Sequence, residues 1–211
     1  MDTSSAADRA YRHVKRSLLD QVYASGALLT EGEIAAAVGL SRTPVREALL
    51  RLEAEGLLRL YPKKGALVLP LSAQEVGDVF EARELVEVFT AGKAWDRRAD
   101  LVRELQPVLA AMQAHERSGD ARAFMAADRA FHAAVVAAAG NAVLTKLYAS
   151  LRDRQMCMGV AALRISPERV LRAVQEHAEM VDALGGDDEP RFRALVRAHV
   201  VGASDHLRAA R

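Results

Sequence analysis

The sequence has a single cysteine, no long apolar run and almost no net charge. Cys157 has no second cysteine with which to form a disulfide or a Cys-based metal site, and we expect it to be a small buried hydrophobic residue. No stretch approaches the roughly 18 apolar residues that a membrane span requires, and the first residues lack the apolar core of a signal peptide. These absences predict a cytoplasmic protein that has no membrane partner.

The net charge of +1 does not by itself indicate a nucleic-acid partner. Up to Pro70 there are 10 Lys and Arg against 8 Asp and Glu, and after it 19 against 20, so neither part is strongly basic. The 51% of apolar residues among 211 is enough for two small cores. An interpretation as a DNA-binding protein must therefore rest on the positions of the basic residues.

The N-terminal part has the pattern of three short helices. The first has apolar residues at helical spacing and should end near residues 25–26; these residues are Tyr11, Val14, Leu18 and Val22. Thr30 and Glu33 form a capping-box pattern, which predicts a helix from Glu31 to about Val38 that stops at Gly39. The third helix can be capped by Ser41 and should end at Gly56, with an inward face formed by Val45, Ala48, Leu49 and Leu52.

Residues 57–61 and 66–69 read as two short strands joined by a break at residues 62–65. Two helices separated by a three-residue turn and followed by a hairpin make a winged helix-turn-helix, which we assign to residues 1–70. The second helix of such a motif enters the major groove, so its outward residues should contact DNA, with the tip of the wing against the backbone; these residues are Arg42, Thr43, Arg46, Lys63, Lys64 and Gly65. The alternative is an ordinary capped helix with solvated arginines.

Residues 40–49, 52–57 and 64–65 closely resemble the signature of the GntR family of regulators. The resemblance implies that DNA is contacted by Ser41, Arg42, Thr43 and Arg46, with Lys64 and Gly65 from the wing, and that a homodimer binds an inverted-repeat operator. The chain departs from the family pattern at Gly32, where members commonly have an arginine, so one usual DNA contact is missing.

Residues 71–211 show about six amphipathic helices and no strand signal, which predicts an all-helical bundle and a mainly α protein overall. A helix should begin at Ser72 and run toward Trp95. Asp128 and His132 stand four residues apart on one predicted helix, and His177 and His199 lie on later helices. Such residues can meet in a bundle core and hold a divalent metal, or they can be structural residues that come together by chance.

Residues 128–132, 140–141, 176–177 and 198–199 resemble the FCD-type ligand-binding domain of the fatty-acid-regulator (FadR-like) subfamily within the GntR family. The resemblance implies that Asp128, His132, His177 and His199 bind Zn, Ni or Mn, and that a carboxylate effector takes open coordination positions. Arg83 stands where the subfamily has a pocket arginine. Arg152 and Arg154 are further effector candidates, although a solvated helix face or an i,i+4 salt bridge is the favoured interpretation of Arg152.

The sequence thus predicts a DNA-binding transcriptional regulator, most simply a repressor, whose operator affinity is controlled by an organic acid bound near a divalent metal. A metal-dependent hydrolase would use the same ligands but needs a positioned general base, and no such residue stands out. A helical bundle that serves only for dimerisation is the second alternative. We therefore expect no catalytic residues.

Overall fold

The computed structural model describes residues 4–70, 72–157, 167–186 and 188–209. These residues divide into two compact units: the first contains the described residues of 4–72 and 153–157, and the second those of 73–152 and 167–209. Among the described residues, no helix combines the length and the apolar character that a membrane span requires. The side chain of Cys157, predicted to be buried, lies outside the described residues.

The first unit is a winged helix-turn-helix, as predicted. Its elements in chain order are α1 (Ala6–Leu19), β1 (Leu28–Leu29), α2 (Glu31–Val38), α3 (Arg42–Ala54), β2 (Leu58–Tyr61) and β3 (Gly65–Val68). The three strands form an antiparallel sheet in the order β1-β3-β2. The core lies between α1, α3 and the sheet, and its buried residues include Val14, Leu18, Val45, Ala48, Leu49, Leu52, Leu58 and Ala66.

Local interactions explain where these helices begin and end. Thr30 and Glu33 form the predicted capping box, and Gly39 ends α2 in the left-handed region at φ 65°. Ser41 occupies the N-cap of α3 with an extended backbone, but its side chain makes no capping hydrogen bond, contrary to expectation. Val22 was also misassigned: α1 ends at Leu19, Gln21 adopts φ 55°, and Val22 is exposed rather than part of the buried face.

All regular elements among the described residues of the second unit are helices. The elements are α4 (Ala73–Ala94), a short 3-10 helix (Trp95–Arg97), α5 (Arg98–Ser118), α6 (Ala121–Ala138), α7 (Ala142–Cys157), α8 (Pro167–Gly185) and α9 (Glu189–Ala209). Helix α7 begins in this unit, and its last residues are grouped with the first. Helices α4, α5, α6, α8 and α9 pack around one core, which includes Leu101, Leu105, Met112, Phe131 and Phe192.

Candidate DNA interface and metal centre

A groove of about 570 Å³ lies between helix α3 and the wing of the first unit. The lining includes five of the seven residues predicted to bind DNA: Arg42, Arg46, Lys63, Lys64 and Gly65. Ser41 and Thr43 are exposed at the start of α3, beside this groove but not among its lining residues. The structure therefore brings the basic residues of two separate elements to one concave surface.

Acidic residues border the same groove. The Glu31 carboxylate lies 4.0 Å from the Arg46 guanidinium, and both side chains remain accessible to solvent. The carboxylate of Glu53 makes a different contact. Its Oε1 accepts a hydrogen bond from the backbone N–H of Leu60 at 2.7 Å, which joins α3 to the wing. Arg46 therefore has an acidic neighbour on the groove but is not buried by it.

Two glycines shape this surface. Gly65 has φ 121°, and a Cβ there would overlap the carbonyl oxygen of Leu29. Glycine is thus required at the wing by the close approach of β1, a strand that the sequence pattern did not predict. At Gly32, the Arg42 guanidinium lies 3.6 Å from where a Cβ would stand, an ordinary contact distance, so Arg42 is a direct neighbour of this position.

The four predicted metal ligands lie together in the core of the second unit. Helix α6 supplies Asp128 and His132, α8 supplies His177 and α9 supplies His199, and all four are buried. One donor atom from each lies within 4.8 Å of the others. His132 Nε2 is 3.2 Å from Nε2 of both His177 and His199. Asp128 Oδ1 is 3.6 Å from His132 Nε2 and 3.5 Å from His177 Nε2.

Each imidazole presents its other nitrogen to an oxygen outside the cluster. His132 Nδ1 lies 2.8 Å from Glu87 Oε2, and His199 Nδ1 lies 2.6 Å from Glu176 Oε2. His177 Nδ1 lies 2.6 Å from the backbone carbonyl of Ala173, one turn earlier on α8. Since these oxygens can only accept, the Nδ1 atoms of His177 and His199 donate to them, while His132 Nδ1 makes a close ion-pair contact with Glu87. The three Nε2 atoms therefore face one another.

The pKa shifts reflect this crowding. Burial and the neighbouring imidazoles hold the pKa of His177 well below its usual value, and burial with His132 nearby also lowers the pKa of His199. Burial alone would lower the pKa of His132 as well, but the Glu87 and Asp128 carboxylates outweigh it and raise that pKa. A single proton on His132 Nε2 can then be shared with the lone pairs of the other two rings.

Asp128 is held from its other side by Arg152. Arg152 Nη2 donates to Asp128 Oδ2 at 2.6 Å, and the arginine side chain is only 2% exposed. The expected solvated face or i,i+4 pair for Arg152 is therefore wrong, because its partner lies 24 residues earlier, on α6. Burial would raise the pKa of Asp128, but Arg152 and His132 hold it well below the usual range, so the residue stays ionised.

A second buried ion pair adjoins the cluster. Arg83 is 1% exposed and its Nε donates to Glu87 Oε1 at 2.8 Å, one turn along α4. The Tyr148 hydroxyl of α7 donates to the same oxygen at 2.9 Å. Arg83 is thus connected to the histidines through the Glu87 carboxylate, and Arg152 through the Asp128 carboxylate. Neither Glu87 nor Tyr148 was singled out from the sequence.

Arg154 is not brought to this cluster. It falls in the unit that contains residues 1–72, where its guanidinium lies against Gly56.

The cluster fits a divalent transition metal. Donors at about 2.1 Å from a shared ion stand about 3.0–3.5 Å apart, and four of the six donor pairs here are separated by 3.2–3.6 Å. Three imidazole nitrogens and one carboxylate oxygen suit Zn, Ni or Mn, and the outer acceptors fix the rings as in known metal sites. Without a cation, a single proton on His132 Nε2 has to serve the Nε2 lone pairs of both His177 and His199, whereas a divalent ion can be bound by all three rings.

A winged helix-turn-helix joined to a helical bundle with a buried polar centre is the architecture of a DNA-binding regulator with a ligand-binding domain. Comparison with known proteins agrees. The family model "Bacterial regulatory proteins, gntR family" matches residues 6–68, and the "FCD domain" model matches residues 78–202. The chain therefore belongs to the GntR family of bacterial regulators and contains an FCD domain.

Individual relatives support this assignment. An HTH-type transcriptional regulator from an unstable DNA locus of Streptomyces ambofaciens is 31% identical over 202 residues, which cover 93% of this chain and 83% of that protein. The "Probable D-xylose utilization operon transcriptional repressor" of Paenarthrobacter nicotinovorans is 34% identical over 171 residues, which cover 81% of this chain and 75% of that protein. The solved structure of E. coli McbR/YncC has the same fold, with a TM-score of 0.86 at 22% identity. The match covers 98% of this chain and 99% of that chain.

Proposed function

We propose that this protein is a metal-containing, effector-controlled repressor that binds operator DNA as a homodimer. Residues 1–70 form its DNA-binding domain and residues 71–211 its effector-binding domain. The observation that carries the proposal is the convergence of Asp128, His132, His177 and His199 in a chain that also has a winged helix-turn-helix. The printed description of the P. nicotinovorans relative as a repressor supports the sign of regulation.

Asp128 and the three histidines would hold the metal ion, with Zn, Ni and Mn as candidates. When bound, a divalent ion supplies positive charge and coordination positions that an anionic ligand can take. With the Nδ1 atoms directed at the outer oxygens, metal binding would displace the proton shared between the Nε2 atoms and use their lone pairs.

An effector with a carboxylate group fits the charge balance of this centre. The buried carboxylates of Asp128 and Glu87 are matched by the buried guanidiniums of Arg83 and Arg152. A divalent cation therefore adds two uncompensated positive charges to a buried site, which favours an anion as its companion. Arg83 and Arg152 are the buried guanidiniums nearest the cluster in its ion-pair network, and each carries several N–H groups with which a carboxylate could be bound. The position of Arg154 gives no comparable support.

On the DNA side, the groove-lining Arg42 and Arg46 are the base-contacting candidates, together with Ser41 and Thr43 at the helix start. Lys63, Lys64 and Gly65 approach the backbone from the wing. A dimer matches an inverted repeat because a two-fold protein reads a two-fold site. Leu85 and Phe89 of α4 support dimerisation, since they lie one turn apart and are 74% and 52% exposed.

The two alternatives are less well supported. A hydrolase needs a free general base near the ion, but the neighbouring carboxylates of Glu87 and Glu176 are directed to the outer nitrogens of the imidazoles. A bundle used only for dimerisation does not require three buried imidazoles with their Nε2 atoms turned toward each other, which is a costly arrangement for structural residues.

The test is a DNA-binding titration with metal and effector varied separately. An operator is first selected from random DNA with the full-length protein, and its affinity is then measured with metal-free protein, with Zn²⁺, and with Zn²⁺ plus a panel of organic acids. We expect an inverted repeat and at least one acid that lowers affinity for it only when Zn²⁺ is present. The same response in His177→Ala, or the absence of any metal-dependent acid effect, would contradict the proposal.

A further inference from the structure

Helix α4 supplies none of the four clustered donor atoms, yet it reaches the cluster through one carboxylate. Glu87 Oε2 lies 2.8 Å from Nδ1 of His132. Glu87 Oε1 accepts from Arg83 on the same helix and from Tyr148 on α7. One buried side chain therefore links α4, α6 and α7.

Glu87 is enclosed by its partners in this position. One carboxylate oxygen accepts from Arg83 and Tyr148, and the other contacts His132. The carboxylate is buried and contacted on both oxygens, so its orientation is fixed by these protein groups and not by water. His132 in turn is the central ring, because its Nε2 is 3.2 Å from both other Nε2 atoms.

We propose that Glu87 is a positioning residue, which keeps His132 Nε2 directed into the cluster and makes α4 responsive to metal binding. This inference rests on the metal site of the proposed function. A carboxylate on the outer nitrogen of a metal-binding imidazole fixes its tautomer and increases its basicity, and loss of such a partner weakens metal binding about 10- to 100-fold. Loss of Glu87 would also leave the Arg83 charge uncompensated near the cation.

The consequence concerns regulation. Helix α4 begins at Ala73, directly after the DNA-binding unit in the chain. Whatever changes the position of His132 changes the 2.8 Å contact with Glu87 through which α4 reaches the cluster, so metal binding should increase the protection of this helix. Glu176 holds His199 in a similar way but belongs to α8, so its loss should affect metal affinity without a selective effect on α4.

The test uses Glu87→Gln in the full-length protein with Glu84→Gln as a matched control. Glu84 lies on the same helix and pairs with Arg197 of α9 instead of the cluster. Zn²⁺ affinity is measured by competition with a chelator, the ligand field by Co²⁺ absorption, and α4 by amide hydrogen exchange with and without Zn²⁺. Because Glu87→Gln leaves Arg83 without its ion pair, the double variant Arg83→Met with Glu87→Met is measured beside it.

We expect Glu87→Gln and the double variant to bind Zn²⁺ about 10- to 100-fold more weakly, with an altered Co²⁺ spectrum and no Zn²⁺-dependent protection of α4. Glu84→Gln should stay within about twofold of the unchanged protein. If the Glu87 variants bind Zn²⁺ and protect α4 as the unchanged protein does, the inference is overturned while the metal site stands. If the unchanged protein binds no Zn²⁺, Ni²⁺ or Mn²⁺, the metal site itself is wrong, and the inference falls with it.

Discussion

Replacement of Gly65 by alanine should break the contact between strands β1 and β3 of the wing. The new Cβ would overlap the carbonyl oxygen of Leu29 and lie 3.0 Å from its carbonyl carbon, where ordinary carbon contacts are about 3.5–4.0 Å. A shift of the backbone would disturb the β1–β3 pairing, which consists of Leu28 with Leu67 and Leu29 with Ala66.

The cost follows from these interactions. An alanine held at φ 121° costs about 1–3 kcal/mol, and each lost backbone hydrogen bond about 1 kcal/mol. We therefore expect the free energy of unfolding of the DNA-binding unit to fall by about 3 kcal/mol. Gly39→Ala is the matched control, because its φ of 65° is also left-handed but no atom lies within 4 Å of the added Cβ. It should cost only about 1 kcal/mol.

The free energy of unfolding of both variants is measured by urea denaturation, monitored by far-UV circular dichroism. The tryptophan fluorescence of Trp95, the only tryptophan in the sequence, reports on the helical unit and serves as an internal reference. Equal destabilisation by Gly65→Ala and Gly39→Ala would refute the close approach of the two strands.

Three further predictions concern DNA. Arg42→Ala should lose about 1–3 kcal/mol of binding free energy on the selected operator but little on random DNA, if Arg42 contacts a base. Lys64→Ala should weaken binding to all sequences and reduce the slope of affinity against salt by about one, measured by titrations at several salt concentrations. Glu31→Gln should increase DNA affinity a few-fold, because it releases Arg46 and removes a carboxylate near the phosphates, an effect worth about 0.2–1 kcal/mol. Unchanged affinity in all three would contradict the assigned binding surface.

Local sequence signals predicted the helix-turn-helix well, because they depend on residues close together in the chain. The capping box of Thr30 and Glu33 and the left-handed Gly39 set both ends of α2. Strand β1 was missed because two residues, Leu28 and Leu29, show no periodicity of their own and are defined by their pairing with β3. The exposed Val22 shows the converse, since helical spacing continued in the sequence after the helix had ended.

The polar centre was only partly predictable. The i,i+4 spacing placed Asp128 and His132 on one face, but only the packing of α6, α8 and α9 brings His177 and His199 to them. Glu87 was missed although the sequence holds a signal: Arg83 and Glu87 interrupt the buried stripe of α4 that includes Val76, Phe80, Ala91 and Ala94. A charged pair in an otherwise apolar helical stripe indicates a buried polar site.

The central claim is that the helical domain holds a metal ion that an effector can reach, and native mass spectrometry of the full-length protein tests it most directly. We predict a dimer with one divalent ion per chain, and any additional mass would give the size of a co-purified effector. A species that stays free of metal after incubation with Zn²⁺, Ni²⁺ and Mn²⁺ would contradict the account and reduce Asp128, His132, His177 and His199 to structural residues.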